Sequence, residues 1–176
     1  MYFNNTKKNE FDAIVVGSGI SGGWAAKELC EDGLKTLVLE RGRMVKHIED
    51  YPTMHNDPWD LPYNGKTPNA IVEKHYSKQK RWGFDENNRH FYNKDSEHDY
   101  DEIKPFDWIR GKQVGGRSLI WGRQSYRWSD LDFEANAKDG YGVDWPIRYK
   151  DIDPWYSHVE RFIGVSGEKL GLPQLP

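Results

Sequence analysis

Residues 11–42, "FDAIVVGSGISGGWAAKELCEDGLKTLVLERG", decide the fold. "AIVV" is a short, continuous apolar run, the pattern of a strand buried on both faces. "GSGISGG" interrupts it. From Ile20 to Asp32 the apolar residues Ile20, Trp24, Leu29 and Cys30, with Ala25 and Ala26, fit a helical stripe. Gly33 is placed to end that helix in a left-handed conformation. "KTLVLE" is a second strand. Strand, helix and strand in so short a stretch predict a βαβ unit with parallel strands.

The break between strand and helix carries chemistry. Gly17, Gly19 and Gly22 match G-x-G-x-x-G, with Ser18 and Ile20 between them. In a dinucleotide site the first glycine makes the tight turn. The second lets a pyrophosphate approach the backbone, and the third lets helix and strand pack closely. The helix start then offers free N–H groups and the positive end of its dipole to the anion. Glu40 ends the second strand, placed to accept hydrogen bonds from an adenosine ribose, and Arg41 follows it. A tight βα turn and a surface carboxylate account for the same residues without a ligand. The strand–helix context and the spacing to Glu40 favour the ligand. NAD and FAD share this first unit, and the residues alone leave both open.

Composition narrows the classes. The chain has 176 residues, a net charge of -3, a mean hydropathy of -0.92 and 36% hydrophobic residues. That is polar for a self-contained domain, yet 8 Trp, 10 Tyr and 7 Phe argue against disorder. Surfaces that bury a ligand, or another part of the protein, reconcile the two. No basic footprint points to nucleic acid. A single cysteine, Cys30, permits no internal disulfide framework. No apolar run is long enough to span a membrane. The start, "MYFNNTKKNEFDAIVV", has no secretory pattern. A cytoplasmic location is expected, with export beside a partner as the alternative.

Residues 43–105 are crowded with His, Asn, Asp, Lys, Pro and aromatics. They read as a long irregular excursion, with one short strand or helix around "AIVEKHY". A loop of that length is functional or packs on something else. Its histidines show no recognised metal spacing, and "DSEHDYDE" at 95–102 lacks the glycine of a calcium loop. Order returns with "PFDWIRGKQVGGRSLIWG". Arg117, Arg123 and Arg127 surround its double glycine, suited equally to anions and to structural ion pairs. Trp121, Trp128 and Trp145 read first as core. A last helix is expected from Pro154, capped by Asp153.

Residues 11–42 and about 108–167 together resemble the glucose-methanol-choline (GMC) oxidoreductases, in particular their sugar and sugar-acid dehydrogenases and pyranose oxidase. The resemblance rests on the fingerprint, on "ERGR" at 40–43, on "GGRSLIWG" at 115–122 and on "GYGVDWPIRYKDIDPWYSHVERFIGVSG". It implies that FAD is the dinucleotide and that Gly115, Gly116, Ser118, Trp121 and Gly122 form a second loop against it. Two positions depart from the family. Many members have Asn where Trp121 stands. Relatives that attach flavin covalently use His where Ile120 stands, so noncovalent FAD is expected.

The resulting expectation is an α/β fold: a Rossmann-like FAD-binding βαβ core (1–42), an irregular excursion or lid (43–105), and the start of a substrate-facing region (106–176). The resemblance implies oxidation of the CH–OH group of an alcohol or sugar, with hydride passing to flavin. The family's proton-accepting residues match nothing here. The chain is therefore read as the N-terminal part of an incomplete fold, with no catalytic residue of its own. The expected partners are the rest of the enzyme and a small subunit or electron-transfer protein. The other readings are an NAD-dependent dehydrogenase and a non-catalytic nucleotide-binding fragment.

Overall fold

The computed structural model of the chain describes residues 10–79, 85–98 and 101–175. It contains two compact units, divided between Trp121 and Gly122.

The first unit begins with β1 (Ala13–Val16), α1 (Ile20–Glu31) and β2 (Thr36–Leu39). The strands pair in parallel, from Ala13 opposite Thr36 to Val16 opposite Leu39, with α1 as the crossover. Gly33 ends α1 at φ +84°, and the amides of Gly33 and Leu34 donate to Cys30 and Leu29 carbonyls, both at 3.0 Å. A left-handed glycine closes the helix in this way because it has no Cβ to clash. α1 packs closely at its start. A Cβ on Gly22 would stand 2.0 Å from the Gly17 carbonyl oxygen and 3.4 Å from Val15 Cγ1. Val15 therefore faces the helix and is buried.

Burial of β1 on both faces is not met. Successive strand residues point to opposite faces, so Ile14 and Val16 point away from Val15, and they are 61% and 82% exposed. Among the described residues α1 covers one face of the sheet, and the other is largely open.

A third segment extends the sheet edge. Arg43 and Gln113 form a parallel bridge, and the Val114 amide donates to Arg43 O at 2.9 Å. The chains meet so closely that a Cβ on Gly42 would lie 2.5 Å from Gln113 N and Cα.

The described residues of the segment between them are packed. It holds α2 (Asn69–His75), which resolves "AIVEKHY" as helix, and 3-10 turns at Pro58–Asp60, Pro62–Gly65, Arg89–Phe91 and Asp95–Glu97. Tyr76, Phe91 and Tyr92 form a buried cluster, with Tyr51, Ile71 and Leu119 against it. Gln79 is fully buried beside it. Its Nε2 donates to Asn93 O at 2.6 Å, and its Oε1 accepts from the Arg110 amide at 3.1 Å. Buried Gln113 donates to Phe91 O at 3.2 Å. One amide side chain satisfying backbone from distant segments fixes their separation, because leaving either group unpaired costs about 1–3 kcal/mol.

The second unit holds α3 (Asp130–Phe133), α4 (Ala135–Asp139) and α5 (Tyr149–Ile163). Trp128 and Trp145 pack on buried Phe133. Helix α5 starts at Tyr149, five residues before the Pro154 start read from the sequence. The Asp130 carboxylate accepts the Tyr149 amide and Asp151 accepts the Arg148 amide, both at 2.8 Å. These caps initiate the helix earlier, leaving Pro154 inside it, without the N–H that would have bonded Lys150. Buried Arg127 holds the helix across that gap, bonding Asp153, Ser157 and Glu160 along one face. Among the described residues no helix is long and apolar enough to cross a membrane.

The Gly22 contact predicts a large local cost. Gly22→Ala should lower stability by about 2–4 kcal/mol, because backbone cannot yield to the new methyl. A urea midpoint equal to that of the unsubstituted protein would show that the helix start is not held this tightly.

Candidate functional site

The three glycines of the first loop are there for three different reasons. Gly17 lies at φ +89°, a turn that L residues rarely adopt, and its amide donates to Leu39 O at 2.7 Å. Gly22 is demanded by packing. Gly19 is demanded by neither. Its φ is -64°, and an added Cβ would meet nothing within 4 Å. Gly19 is also the N-cap of α1, where no side chain caps the helix and the first turn holds no acidic residue. The first amide groups of α1 therefore lack a capping side chain and an acidic residue within their own turn.

The second loop is built on two left-handed glycines, Gly115 at φ +89° and Gly116 at +54°, which lead into a 3-10 turn, Gly116–Leu119. It comes up directly against the first loop. A Cβ on Gly116 would lie 3.6 Å from Gly19 Cα. The Ser118 hydroxyl donates to Gly115 O at 2.6 Å, so its proton stays within its own turn and its ligand-facing capacity is that of an acceptor.

Glu40 joins the two loops. Its Oε2 accepts from the Ser18 amide at 2.9 Å and the Ser18 hydroxyl at 2.6 Å, and its Oε1 accepts from the Gly42 amide at 2.7 Å. Ser18 Oγ in turn accepts from the Gly115 amide at 3.1 Å. The Ser18 hydroxyl, the Ser18 amide and the Gly42 amide hold the Glu40 carboxyl down at about 2. The two Ser18 donors fill Oε2, and Oε1 keeps lone-pair capacity for a further donor.

Two clefts flank Gly17. One, of about 560 Å³, is walled by Gly19, Ile20 and Gly22 on the helix side and by Ile109, Ser118, Ile120 and Trp121 opposite. The other, of about 490 Å³, lies over Glu40, Arg41 and Gly111. The structure thus brings together Gly17, Ser18, Gly19, Ile20, Gly22, Glu40, Arg41, Gly115, Gly116, Ser118 and Trp121. Gly122 opens the second unit. Sequence reasoning missed Ile109 and Gly111 as walls and Gly42 as the point where the second segment crosses. The glycine after Glu40 was the available signal for that crossing. It also missed Ser18 as the bridge, for which a lone serine in the fingerprint gives no signal.

The Glu40 bonds make a pH prediction. Its folded pKa lies below the ordinary carboxylate value of 4.5, at about 2. Its contribution is therefore complete above 4.5 and lost as pH falls from there through about 2. Between those limits the protein should lose stability more steeply than Glu40→Gln. Parallel acid-unfolding curves for the two would contradict the linkage.

No family model matches the chain. Curated relatives do. The chain is 27% identical over 173 residues to a 2-methyl-1,2-propanediol dehydrogenase of Mycolicibacterium austroafricanum, covering 97% of this chain and 27% of the relative. It is 28% identical over 163 residues to the fructose dehydrogenase large subunit of Gluconobacter japonicus, covering 89% of this chain and 27% of the relative. It is 28% identical over 181 residues to the gluconate 2-dehydrogenase flavoprotein of Pantoea cypripedii, covering 93% of this chain and 26% of the relative. The chain spans about a quarter of the length of these relatives. It is a homologue of dehydrogenases of the glucose-methanol-choline type over that quarter.

Proposed function

We propose that the chain carries the FAD-binding part of an oxidoreductase acting on the CH–OH group of an alcohol or sugar. The observation that carries this reading is Gly19. Neither packing nor backbone conformation requires a glycine there, and a diphosphate lying on the backbone supplies a reason.

The residues present fit the cofactor. Diphosphate requires amide donors and a close backbone, and the uncapped start of α1 beside Gly19 offers both. A ribose requires an acceptor, and Glu40, ionised throughout the neutral range, borders the second cleft with Arg41. A flavin ring requires flat apolar walls, and Ile109, Ile120 and Trp121 offer them. FAD, when bound, supplies hydride acceptance. The chain's own work is to bind, orient and keep the two loops together. The names of the relatives, dehydrogenases of a diol, of fructose and of gluconate, support an alcohol or sugar substrate. The words "large subunit" in one of them support a partner chain. No proton-accepting residue is assigned within these 176 residues. In this reading it belongs to the part of the relatives that the chain does not match.

Replacing Gly19 by Val tests the reading. The variant should fold, since the side chain enters open space, and should lose FAD binding while NAD binds neither protein. Undiminished FAD affinity in folded Gly19→Val removes the claim, and NAD binding in place of FAD changes the cofactor.

Attachment is predicted to be noncovalent. Among the described residues no His, Cys or Tyr lines the larger cleft, and Ile120 has no nucleophilic atom. After acid precipitation of the FAD-loaded protein, flavin should remain in the supernatant. Flavin in the pellet would reveal a bond.

A further inference from the structure

A further cleft, of about 280 Å³, lies where the end of α2 meets the acidic segment that starts at Asp95. It shares no lining residue with the two clefts beside Gly17, and its described lining is wholly polar. The volume falls below the roughly 300–1,000 Å³ of sites for drug-sized ligands, so its occupant is small. The acids of the cleft are already in use. Asp95 Oδ1 accepts from Arg110 Nη2 at 2.5 Å and from Gln79 Nε2 at 3.1 Å, and Oδ2 accepts the Lys78 amide at 2.9 Å. Glu102 accepts the Lys78 ammonium on both oxygens, at 2.8 and 2.7 Å, and the Phe106 amide on Oε1 at 2.8 Å. Every carboxylate oxygen thus holds a donor, and each carboxylate has its cation. A metal ion would have to displace both cations, and the described residues contain no cluster of three or more metal-ligating side chains.

The groups left unused are donors. The Lys74 ammonium and the Ser77 hydroxyl line the cleft with no ion pair or hydrogen bond among the described residues. His98 adds a third donor. A lysine ammonium only donates, so the His98 Nδ1 that meets Lys112 Nζ at 2.6 Å is the acceptor, and the proton of the neutral ring sits on Nε2. Lys112 stands behind that ring with no carboxylate partner among the described residues. Partial burial, and then the charges of Arg41 and Arg110, hold its ammonium below the ordinary lysine value. A cleft with its acceptors committed, its spare groups donating and its uncompensated charge positive selects a small anion rich in acceptors. We propose that this cleft is a second site, separate from the nucleotide, for a tetrahedral oxyanion: free phosphate or the phosphate group of a small ester, bound by Lys74, Ser77 and His98. A carboxylate has fewer oxygens than the donors present, whereas phosphate offers one to each and makes charge-assisted bonds with all of them. The site does not depend on which nucleotide the larger clefts take.

The test is thermal melting of the full chain titrated with sodium phosphate, with chloride replacing it at constant ionic strength, with and without FAD. Phosphate should raise the melting temperature saturably whether or not FAD is present. Lys74→Gln should weaken the phosphate constant by about tenfold or more, as expected for a lost charge-assisted bond, and Lys74→Arg should keep most of it. Ser77→Ala should weaken it less. Lys66→Gln, at an exposed lysine outside the cleft, should leave it unchanged. Glycerol phosphate separates the two sources: a tighter constant than that of phosphate assigns the ester, a weaker one the free ion, and the site stands in both cases. In chloride alone Lys74→Gln should melt with the unsubstituted protein. A lysine that serves only the C-terminal end of α2 would lower that temperature and leave the phosphate response intact. A shift that chloride reproduces, or an unchanged phosphate constant in Lys74→Gln, overturns the proposal. So does a shift that FAD abolishes, since phosphate would then occupy the nucleotide cleft. If FAD does not bind and the phosphate response persists and is weakened in Lys74→Gln, the cofactor reading falls and this site stands.

Discussion

The carboxylate of Glu40 is the constraint on which the site depends. Two loops that each contain adjacent or nearly adjacent glycines have little intrinsic preference for one conformation. Glu40 supplies that preference from outside. It accepts the Ser18 amide and hydroxyl on one oxygen and the Gly42 amide on the other. Ser18 passes the constraint on by accepting the Gly115 amide. Bonds to an ionised acceptor are stronger than bonds between neutral groups, so the turn after β1, the chain after β2 and the second glycine loop set as one body. The cleft is the space this junction leaves beside α1.

The same unit is braced from behind by polar groups in apolar surroundings. Gln79 and Gln113 sit beside the Tyr76, Phe91 and Tyr92 cluster and bond backbone from the 93–110 region and from Phe91. The second loop follows Gln113, whose bond to Phe91 O ties it to the aromatic cluster. Ile14 and Val16 lie open, and Val16 lines both clefts beside Gly17.

The legible part of the structure was the part with local causes. β1, α1 and β2 follow from apolar runs and Gly33, all within neighbouring residues, while the stripe read for α1 is met only in part, since Ile20 and Cys30 are exposed. The fingerprint glycines and Glu40 were found because their spacing is local to one βαβ unit. What failed depended on distance along the chain. Helix α5 begins early in part because Asp130, 19 residues upstream, accepts the Tyr149 amide. The Ser18–Gly115 bond joins residues 97 apart. The glycine at 42 is needed only because residue 113 crosses it. "AIVV" read as doubly buried because a continuous apolar run records what a strand tolerates, not which faces are covered.

A crystal structure of the protein with FAD tests the central claim most directly. It should place diphosphate oxygens within hydrogen-bond distance of the first amide groups of α1, over Gly19, with the Glu40–Ser18–Gly115 bonds intact and the ribose hydroxyls on Glu40. Flavin nucleotide bound anywhere else, or a diphosphate at this helix start with the two glycine loops parted and Glu40 turned away from Ser18, would contradict the account.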